Sequence, residues 1–233
     1  MYSNHMTFRS RFFLLLAVAL PGISVRADEA TPDRFAKWES EIAAFEAKDA
    51  AHPPENGGIV FVGSSSIRMW KTLESDFPRH RVLNRGFGGS EIEDSVHFAD
   101  RIVIPYAPRM IVMYAGGNDI NSGKTPERVA ADFRAFVEKV GSKLPNVEIK
   151  YISVAGNPKR WEQVEKVKKA NALIKDICTT GQNTNFIDVF TPMLGPDALP
   201  KPDIFLEDKL HMNAAGYEVW TRVIGPELGP PDR

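Results

Sequence analysis

The sequence has few of the features that mark several common classes of protein. It has 233 residues and a single cysteine, Cys178, so the chain cannot form an internal disulfide bond. Its formal net charge is −1, which gives no sign of the basic patches of nucleic-acid-binding proteins. No His, Cys, Asp or Glu cluster has metal-site spacing, and the glycines lack the lysine of a phosphate-binding loop. We therefore expect no metal, no nucleotide and no nucleic-acid partner.

The N-terminus carries the pattern of a secretory signal peptide. Arg9 and Arg11 precede the apolar run 12–20, and small residues surround Ala27 at the expected cleavage position. This run is too short to cross a bilayer as a stable helix, and no later apolar stretch is long enough. We therefore expect a signal peptide at residues 1–27 and a secreted or periplasmic protein without a stable membrane anchor. A buried N-terminal helix is the alternative.

Residues 28–233 are expected to form one domain, since a chain of this size can bury one good core. Apolar patterns in them alternate between strand and helix. Five strands are predicted, at residues 59–62, 81–84, 110–114, 147–154 and 186–189. Strands that alternate with helices form parallel sheets with right-handed crossovers. The predicted fold is therefore a three-layer α/β/α domain around a five-stranded parallel sheet.

Residues suited to catalysis follow several of these strands, at the edge where α/β sheets place their ligands. Serines 64–66 follow the first strand, the glycine-rich stretch 86–89 follows the second, and Asn118 follows the third. Asp208 and His211 stand before the last predicted helix, at a spacing that lets both side chains face one side of a turn. Serine, histidine, aspartate and amide donors are the groups that acyl transfer requires.

These residues fall into four blocks that occur in the order of a known family. The blocks are Gly63-Ser-Ser65, Gly86-Phe-Gly-Gly89, Gly117-Asn118-Asp119 and Asp208-x-x-His211. The sequence resembles the SGNH or GDSL hydrolase superfamily, particularly its platelet-activating-factor-acetylhydrolase-like branch, over almost all of residues 28–233. The resemblance implies a flavodoxin-like sheet and a serine esterase that works without a cofactor.

The resemblance also implies a role for each residue. Ser65 would be the nucleophile, His211 the general base, and Asp208 the carboxylate that orients the histidine. The oxyanion would be bound by the backbone amides of Ser65 and Gly89 and by the side chain of Asn118. No metal takes part in this scheme.

Simpler interpretations stay open for single residues. Ser65 on its own is typical of a helix N-cap, and Asn118 is also a good capping residue. Asp119 is expected to cap or brace its loop. Ser64 is a departure from the family, which usually has aspartate there, and this puts the support of the loop in question more than the chemistry.

The expected substrate is a small-molecule or carbohydrate ester with a short acyl group, because export fits removal of acetyl groups from carbohydrates. A lysophospholipase or thioesterase acting on lipids is an alternative. The unpatterned segment 191–207, expected to be functional or disordered, would then supply an apolar patch from Met193, Leu194 and Leu199. A non-catalytic binding module on the same fold is the alternative from another class. The sequence does not indicate the oligomeric state.

Overall fold

The computed structural model describes residues 1–2 and 33–232 of the chain. The chain divides into a short N-terminal unit, residues 1–33, and a compact unit, residues 34–233. The predicted signal peptide lies outside the described residues, apart from residues 1 and 2. The fold and the candidate site belong to the compact unit.

A parallel five-stranded sheet with the order β2-β1-β3-β4-β5 forms the middle layer of the compact unit. The order reverses between β1 and β3, as in flavodoxin-like doubly wound folds, which bind ligands at this reversal. The predicted three-layer fold is confirmed. The strands are β1 (Ile59–Gly63), β2 (Val82–Gly86), β3 (Met110–Tyr114), β4 (Glu148–Ile152) and β5 (Thr184–Ile187).

Helices cover both faces of the sheet. The described α-helices are α1 (Glu39–Ala51), α2 (Ser65–Arg68), α3 (Leu73–Asp76), α4 (Ile92–Ile102), α5 (Gly117–Asn121), α6 (Pro126–Gly141), α7 (Val164–Thr180) and α8 (Ala214–Ile224). Short 3₁₀ turns include Pro158–Gln163, Thr191–Met193 and Pro202–Ile204. Within residues 33–232 no helix is long and apolar enough to span a membrane.

The core has two halves, one on each face of the sheet, because successive strand residues point to opposite faces. Val60 and Val62 of β1 pack with α4, α6 and α7 on one face. Ile59 and Phe61 pack with α2, α3 and α8 on the other. All residues of β1 are buried, as expected of a central strand covered on both sides.

The single helix predicted from Ser66 to Leu73 is replaced by the separate short helices α2 and α3. The chain leaves the helix near Trp70, whose indole is 1 % exposed and donates a hydrogen bond to Asp76 at 2.6 Å. The ring packs edge-on against Phe61 and other aromatic rings. Burial of this large side chain outweighs the helical periodicity of the surrounding sequence.

Segment 191–207, expected to be functional or disordered, is ordered. Two 3₁₀ turns and an isolated antiparallel bridge between Leu194 and Pro200 organise it. Met193 is fully buried, and its sulfur lies 3.2 Å from the indole nitrogen of Trp220. Long-range packing that no local pattern reveals therefore orders the segment.

The single cysteine, Cys178, is a buried free thiol near the end of α7. It packs in the same half of the core as Val167 and Ile174. Burial raises the pKa of the Cys178 thiol to about 12. The residue acts as a small core side chain, as its position in a helical pattern suggests.

Candidate active site

Ser65 occupies the first turn of α2, directly after the central strand β1. The sharp turn depends on Gly63, which has φ = 133° and where a Cβ atom would lie 1.9 Å from the Tyr114 carbonyl oxygen. The same carbonyl accepts a hydrogen bond from the Ser64 N–H at 2.9 Å, and the Ser64 carbonyl accepts one from the Ile67 N–H at 3.0 Å. The Ser64 side chain makes no capping bond. The backbone itself therefore supports this loop.

Asp208 and His211 lie on a short turn, residues 206–211, which we call the histidine turn. The Leu206 N–H donates to the His211 carbonyl at 2.8 Å, and the Lys209 N–H donates to the Leu206 carbonyl at 2.9 Å. Lys209 has the left-handed φ of 58° that closes the turn. Oδ1 of Asp208 accepts from the N–H groups of Leu210 and His211, each at 2.9 Å. The turn thus holds its own carboxylate beside its own imidazole.

The side chains of Ser65, His211 and Asp208 form one hydrogen-bonded line. Nδ1 of His211 lies 2.6 Å from Oδ2 of Asp208, and Nε2 lies 3.0 Å from Oγ of Ser65. Hydrogen bonds from the His211 backbone, the His211 ring and the Leu210 backbone lower the pKa of Asp208 to about 2. An ionised carboxylate can only accept, so Nδ1 carries the proton and Nε2 is free to accept from the serine hydroxyl. This arrangement can take a proton from Ser65.

Asn118 lies in α5, a short helix that the sequence patterns do not predict. Its Nδ2 donates to the Ser90 carbonyl at 3.0 Å, and its Oδ1 accepts from Nη1 of Arg160 at 3.0 Å. Gly89 immediately precedes Ser90, has φ = 76° and is exposed. The Gly89–Ser90 segment and Asn118 are thus joined by a hydrogen bond.

A cavity of about 40 Å³ opens at this edge of the sheet. Its lining includes Ser65, Asn118 and His211, together with Asn157 and Arg160 from the loop after β4. Gly89 lies outside the lining of this cavity. Most of the side chains around the cavity are polar, which suits a small polar substrate group.

Asp119, next to Asn118, is fully buried and braces the loops around the site. Both carboxylate oxygens lie 3.2 Å from the Ile92 N–H, at the start of α4, and Oδ1 lies 3.0 Å from Nζ of Lys124. Burial raises the pKa of Asp119 to about 6, against the opposing effect of the Lys124 charge. The contacts are those of the bracing residue that the sequence suggests.

Arg160 is a residue of the site that the sequence analysis missed. It follows β4, whose carboxyl end lies at the same edge of the sheet as those of β1 and β3. The stretch Asn157-Pro-Lys-Arg160 begins five residues after the end of β4, whereas Ser65 and Asn118 stand two and four residues after the ends of their strands. The signal that points to Arg160 is its place after the fourth strand, since the sequence analysis considered only the residues that follow the first three. Burial lowers the pKa of Arg160.

Among residues 33–232, no group of three or more His, Cys, Asp or Glu side chains is placed to hold a metal ion. The polar groups at the cavity include a serine hydroxyl, an imidazole that contacts a carboxylate, and amide donors. These groups can attack an acyl carbon, move a proton and stabilise an oxyanion.

A flavodoxin-like sheet with serine, histidine and aspartate in contact at its carboxyl edge defines a class of serine hydrolases. The model of the GDSL-like lipase/acylhydrolase family matches residues 61–219, more than half of the chain. The chain belongs to this family and is a serine ester hydrolase. The predicted resemblance to the SGNH or GDSL superfamily is confirmed.

Solved structures share the fold at low sequence identity. A Streptococcus pneumoniae protein described as a candidate platelet activating factor aligns with a TM-score of 0.73 and 21 % identity, over 83 % of this chain and 94 % of its own. A GDSL-like lipase from Bacteroides thetaiotaomicron aligns with a TM-score of 0.66 and 20 % identity, over 84 % and 97 % of the two chains.

A variant of an acetyl xylan esterase from Geobacillus stearothermophilus aligns with a TM-score of 0.61 and 16 % identity, over 77 % of this chain and 98 % of its own. Comparison with curated proteins finds no match. At these identities the likeness to solved structures establishes the fold, and the family match establishes ester hydrolysis.

Proposed function

We propose that this protein is an exported serine esterase that removes short acyl groups, above all acetyl, from carbohydrate esters through an acyl-enzyme. The observation that carries the catalytic part is the continuous contact from Ser65 Oγ to His211 Nε2, at 3.0 Å, and from His211 Nδ1 to Asp208 Oδ2, at 2.6 Å. A binding module has no need for these three groups in this order.

In the proposed mechanism, Ser65 Oγ attacks the ester carbonyl carbon while its proton passes to Nε2 of His211. Asp208 holds the ring in place and stabilises the imidazolium that forms. The tetrahedral oxyanion is bound by the N–H groups of Ser65 and Gly89 and by the Asn118 amide. His211 then returns the proton to the leaving alkoxide, which leaves an acyl group on Ser65. Water enters in place of the alcohol and repeats the cycle.

Ser65 is well placed for both of its proposed roles. Its hydroxyl is the nucleophile, and its N–H belongs to the first turn of α2, where backbone N–H groups have no acceptor within the helix. The Asn118 amide has two N–H donors, of which Ser90 uses one. The second remains available for an oxyanion.

The size and polarity of the cavity favour a short acyl group. Its volume is about 40 Å³, and most of the side chains that line it are polar. The apolar patch expected of a lipid esterase is reduced in segment 191–207, since Met193 is buried and Leu194 is partly buried, although Leu206 is 41 % exposed. Of the three apolar side chains expected to form the patch, Leu199 alone is exposed, at 46 %.

The choice of a carbohydrate ester rests on two further observations. The signal-peptide pattern at residues 1–27 indicates export. One protein with the same fold is an acetyl xylan esterase.

Edman sequencing of the exported protein tests the proposed export. We expect cleavage after Ala27, and retention of residues 1–27 by a protein that stays in the cytoplasm would contradict export.

Hydrolysis of p-nitrophenyl acetate by the purified protein tests the catalytic proposal. We expect Ser65→Ala to lower turnover by several orders of magnitude, while Ser66→Ala, a matched change next to it, keeps most of the activity. A fluorophosphonate probe should label the wild type at Ser65 and leave Ser65→Ala unlabelled. An unlabelled wild type would favour the binding module.

A substrate series tests the acyl group and the alcohol. Activity should fall steeply from acetyl to butyryl and longer p-nitrophenyl esters, and acetylated xylan should release acetate. Faster hydrolysis of long-chain esters, a lysophospholipid or an acyl thioester would support the lipid alternative instead.

A further inference from the structure

Arg160 contacts the proposed oxyanion donor rather than the nucleophile or the base. Its Nη1 donates to Oδ1 of Asn118 at 3.0 Å and to the Gly117 carbonyl at 3.2 Å. Arg160 and Asn118 both line the cavity that contains Ser65. We propose that Arg160 is a positioning residue, which fixes the orientation of the Asn118 amide so that an N–H faces the oxyanion. This inference rests on the proposed function.

The argument begins with the symmetry of a side-chain amide. The oxygen and nitrogen ends of asparagine have nearly the same shape, so rotation by 180° exchanges a donor for an acceptor at little steric cost. In the flipped state Oδ1 would face the oxyanion and repel it. A site that uses Asn118 as a donor therefore needs contacts that distinguish its two ends.

The structure supplies one such contact at each end of the amide. Arginine can only donate, so its partner on Asn118 must be Oδ1. The Ser90 carbonyl can only accept, so its partner must be Nδ2. A flip would place two donors face to face at Arg160 and two acceptors face to face at Ser90. Both contacts therefore disfavour the flipped state.

The backbone around Arg160 is itself fixed. Its N–H donates to Oδ1 of Asn157 at 3.0 Å, which caps the turn Pro158–Gln163. The neighbouring Lys159 N–H donates to the Lys209 carbonyl, in the histidine turn, at 3.0 Å. The segment that orients the oxyanion donor is thus hydrogen-bonded to the segment that carries the general base.

The rival interpretation is that Arg160 binds an anionic group of the substrate. Its guanidinium forms no ion pair with a carboxylate of residues 33–232, and it lines the cavity. A substrate-binding arginine would chiefly affect KM, whereas a residue that orients an oxyanion donor affects the transition state and hence kcat.

We expect Arg160→Met to lower kcat for p-nitrophenyl acetate about 10-fold and to change KM by less than about twofold. This is less than the roughly 10²–10³-fold expected on removing an oxyanion donor, because Ser90 still holds Nδ2. Arg160→Lys keeps a donor-only group and should recover most of the rate. Lys159→Met, which removes an adjacent exposed cation, should leave kcat unchanged.

A double-mutant cycle with Asn118→Ala separates positioning from general structural damage. Once the amide is gone, adding Arg160→Met should cost less than about twofold more. Equal losses in both backgrounds, a rise in KM with kcat unchanged, or no rescue by lysine would overturn the inference. Thermal melting of each variant checks that the fold is intact.

The same experiments separate this inference from the proposed function. If the wild type hydrolyses the ester and is labelled at Ser65 but the cycle is additive, only the role of Arg160 fails. If the wild type is neither active nor labelled, the proposed function fails and the role of Arg160 fails with it.

Discussion

Two aspartates near the candidate site, Asp208 and Asp119, have opposite electrostatic environments. The Asp208 side chain is 48 % exposed, and N–H donors of its own turn lower its pKa to about 2. Asp119 is 0 % exposed, and burial raises its pKa to about 6 although Lys124 lies 3.0 Å away. Asp208 thus belongs to an exposed turn that supplies its hydrogen bonds, whereas Asp119 joins separate segments of the chain in a buried position.

The comparison shows that burial alone does not identify which aspartate takes part in the proposed chemistry. Asp208 needs only residues 206–211 to be ionised and aimed at His211, and it contributes little to the core. Asp119 connects α5, α4 and Lys124, so it supports the loop that carries Asn118. We therefore expect changes at Asp208 to affect turnover and changes at Asp119 to affect stability.

The largest effect expected within this comparison is on turnover in Asp208→Asn. An amide at this position can donate to Nδ1, which favours the tautomer that cannot accept the Ser65 proton. We expect kcat for p-nitrophenyl acetate to fall on the order of 10³-fold, with little change in melting temperature. Glu207→Gln, in the same exposed turn, is the matched control and should keep its activity. A loss below tenfold would contradict the assigned role.

Asp119→Ala should instead lower stability. It leaves the buried Ile92 N–H without its acceptor and removes one carboxylate from Lys124. Loss of a buried hydrogen-bond partner costs about 2 kcal/mol, so the urea midpoint should fall accordingly at pH 4, where the raised pKa of Asp119 leaves most of its contribution in place. An unchanged urea midpoint together with a large loss of turnover would show that Asp119 supports catalysis rather than stability.

The two carboxylates should also differ in the pH dependence that they give to stability. An aspartate has a pKa near 3.9 in the unfolded chain. Asp119 has a raised pKa in the folded state, so its contribution is greatest below pH 4 and declines as pH rises towards 6. Asp208 has a lowered pKa, so its contribution is present above pH 4 and is lost as pH falls towards 2.

Unfolding free energies of the wild type, Asp119→Asn and Asp208→Asn between pH 3 and 7 measure this difference. The difference in unfolding free energy between the wild type and Asp119→Asn, in favour of the wild type, should shrink from pH 4 to 6. The corresponding difference for Asp208→Asn should stay level above pH 5 and shrink below pH 4. If the unfolding free energies of the two variants changed with pH in the same way, the opposite pKa shifts of Asp119 and Asp208 would be contradicted.

The smallest effect is expected at Ser64, where the family usually has aspartate. Backbone hydrogen bonds to Tyr114 and Ile67 hold the loop, and the Ser64 side chain makes no capping bond. Ser64→Ala should therefore change kcat by less than about threefold. A loss comparable to that of Asp208→Asn would show that the side chain supports the site.

Much of this architecture could be predicted from the sequence because it depends on local patterns. Strand and helix periodicity gave the parallel sheet, and residues at strand ends pointed to serines 64–66 and Asn118, of which the family resemblance singled out Ser65. The spacing of Asp208 and His211 suggested a shared turn, since three residues suffice to bring their side chains together. Each of these inferences needs only a few consecutive residues.

The parts that could not be predicted depend on contacts between distant segments. Arg160 meets Asn118 only because β3 and β4 are neighbours in the sheet. Met193 is buried only because α8 brings Trp220 over it. The burial of Trp70, which divides a predicted helix, depends on the packed core as well. No periodicity in one stretch of sequence carries such information.

The buried thiol of Cys178 has a practical consequence for labelling. Thiol reagents attack the thiolate, and a pKa raised to about 12 leaves almost none at neutral pH. We therefore expect the native chain to react with maleimides as if it were free of cysteine, since Cys178, its single cysteine, is buried. A cysteine placed at the exposed Glu207 could carry a fluorophore beside His211 and report on ligand arrival, with the wild-type core left untouched.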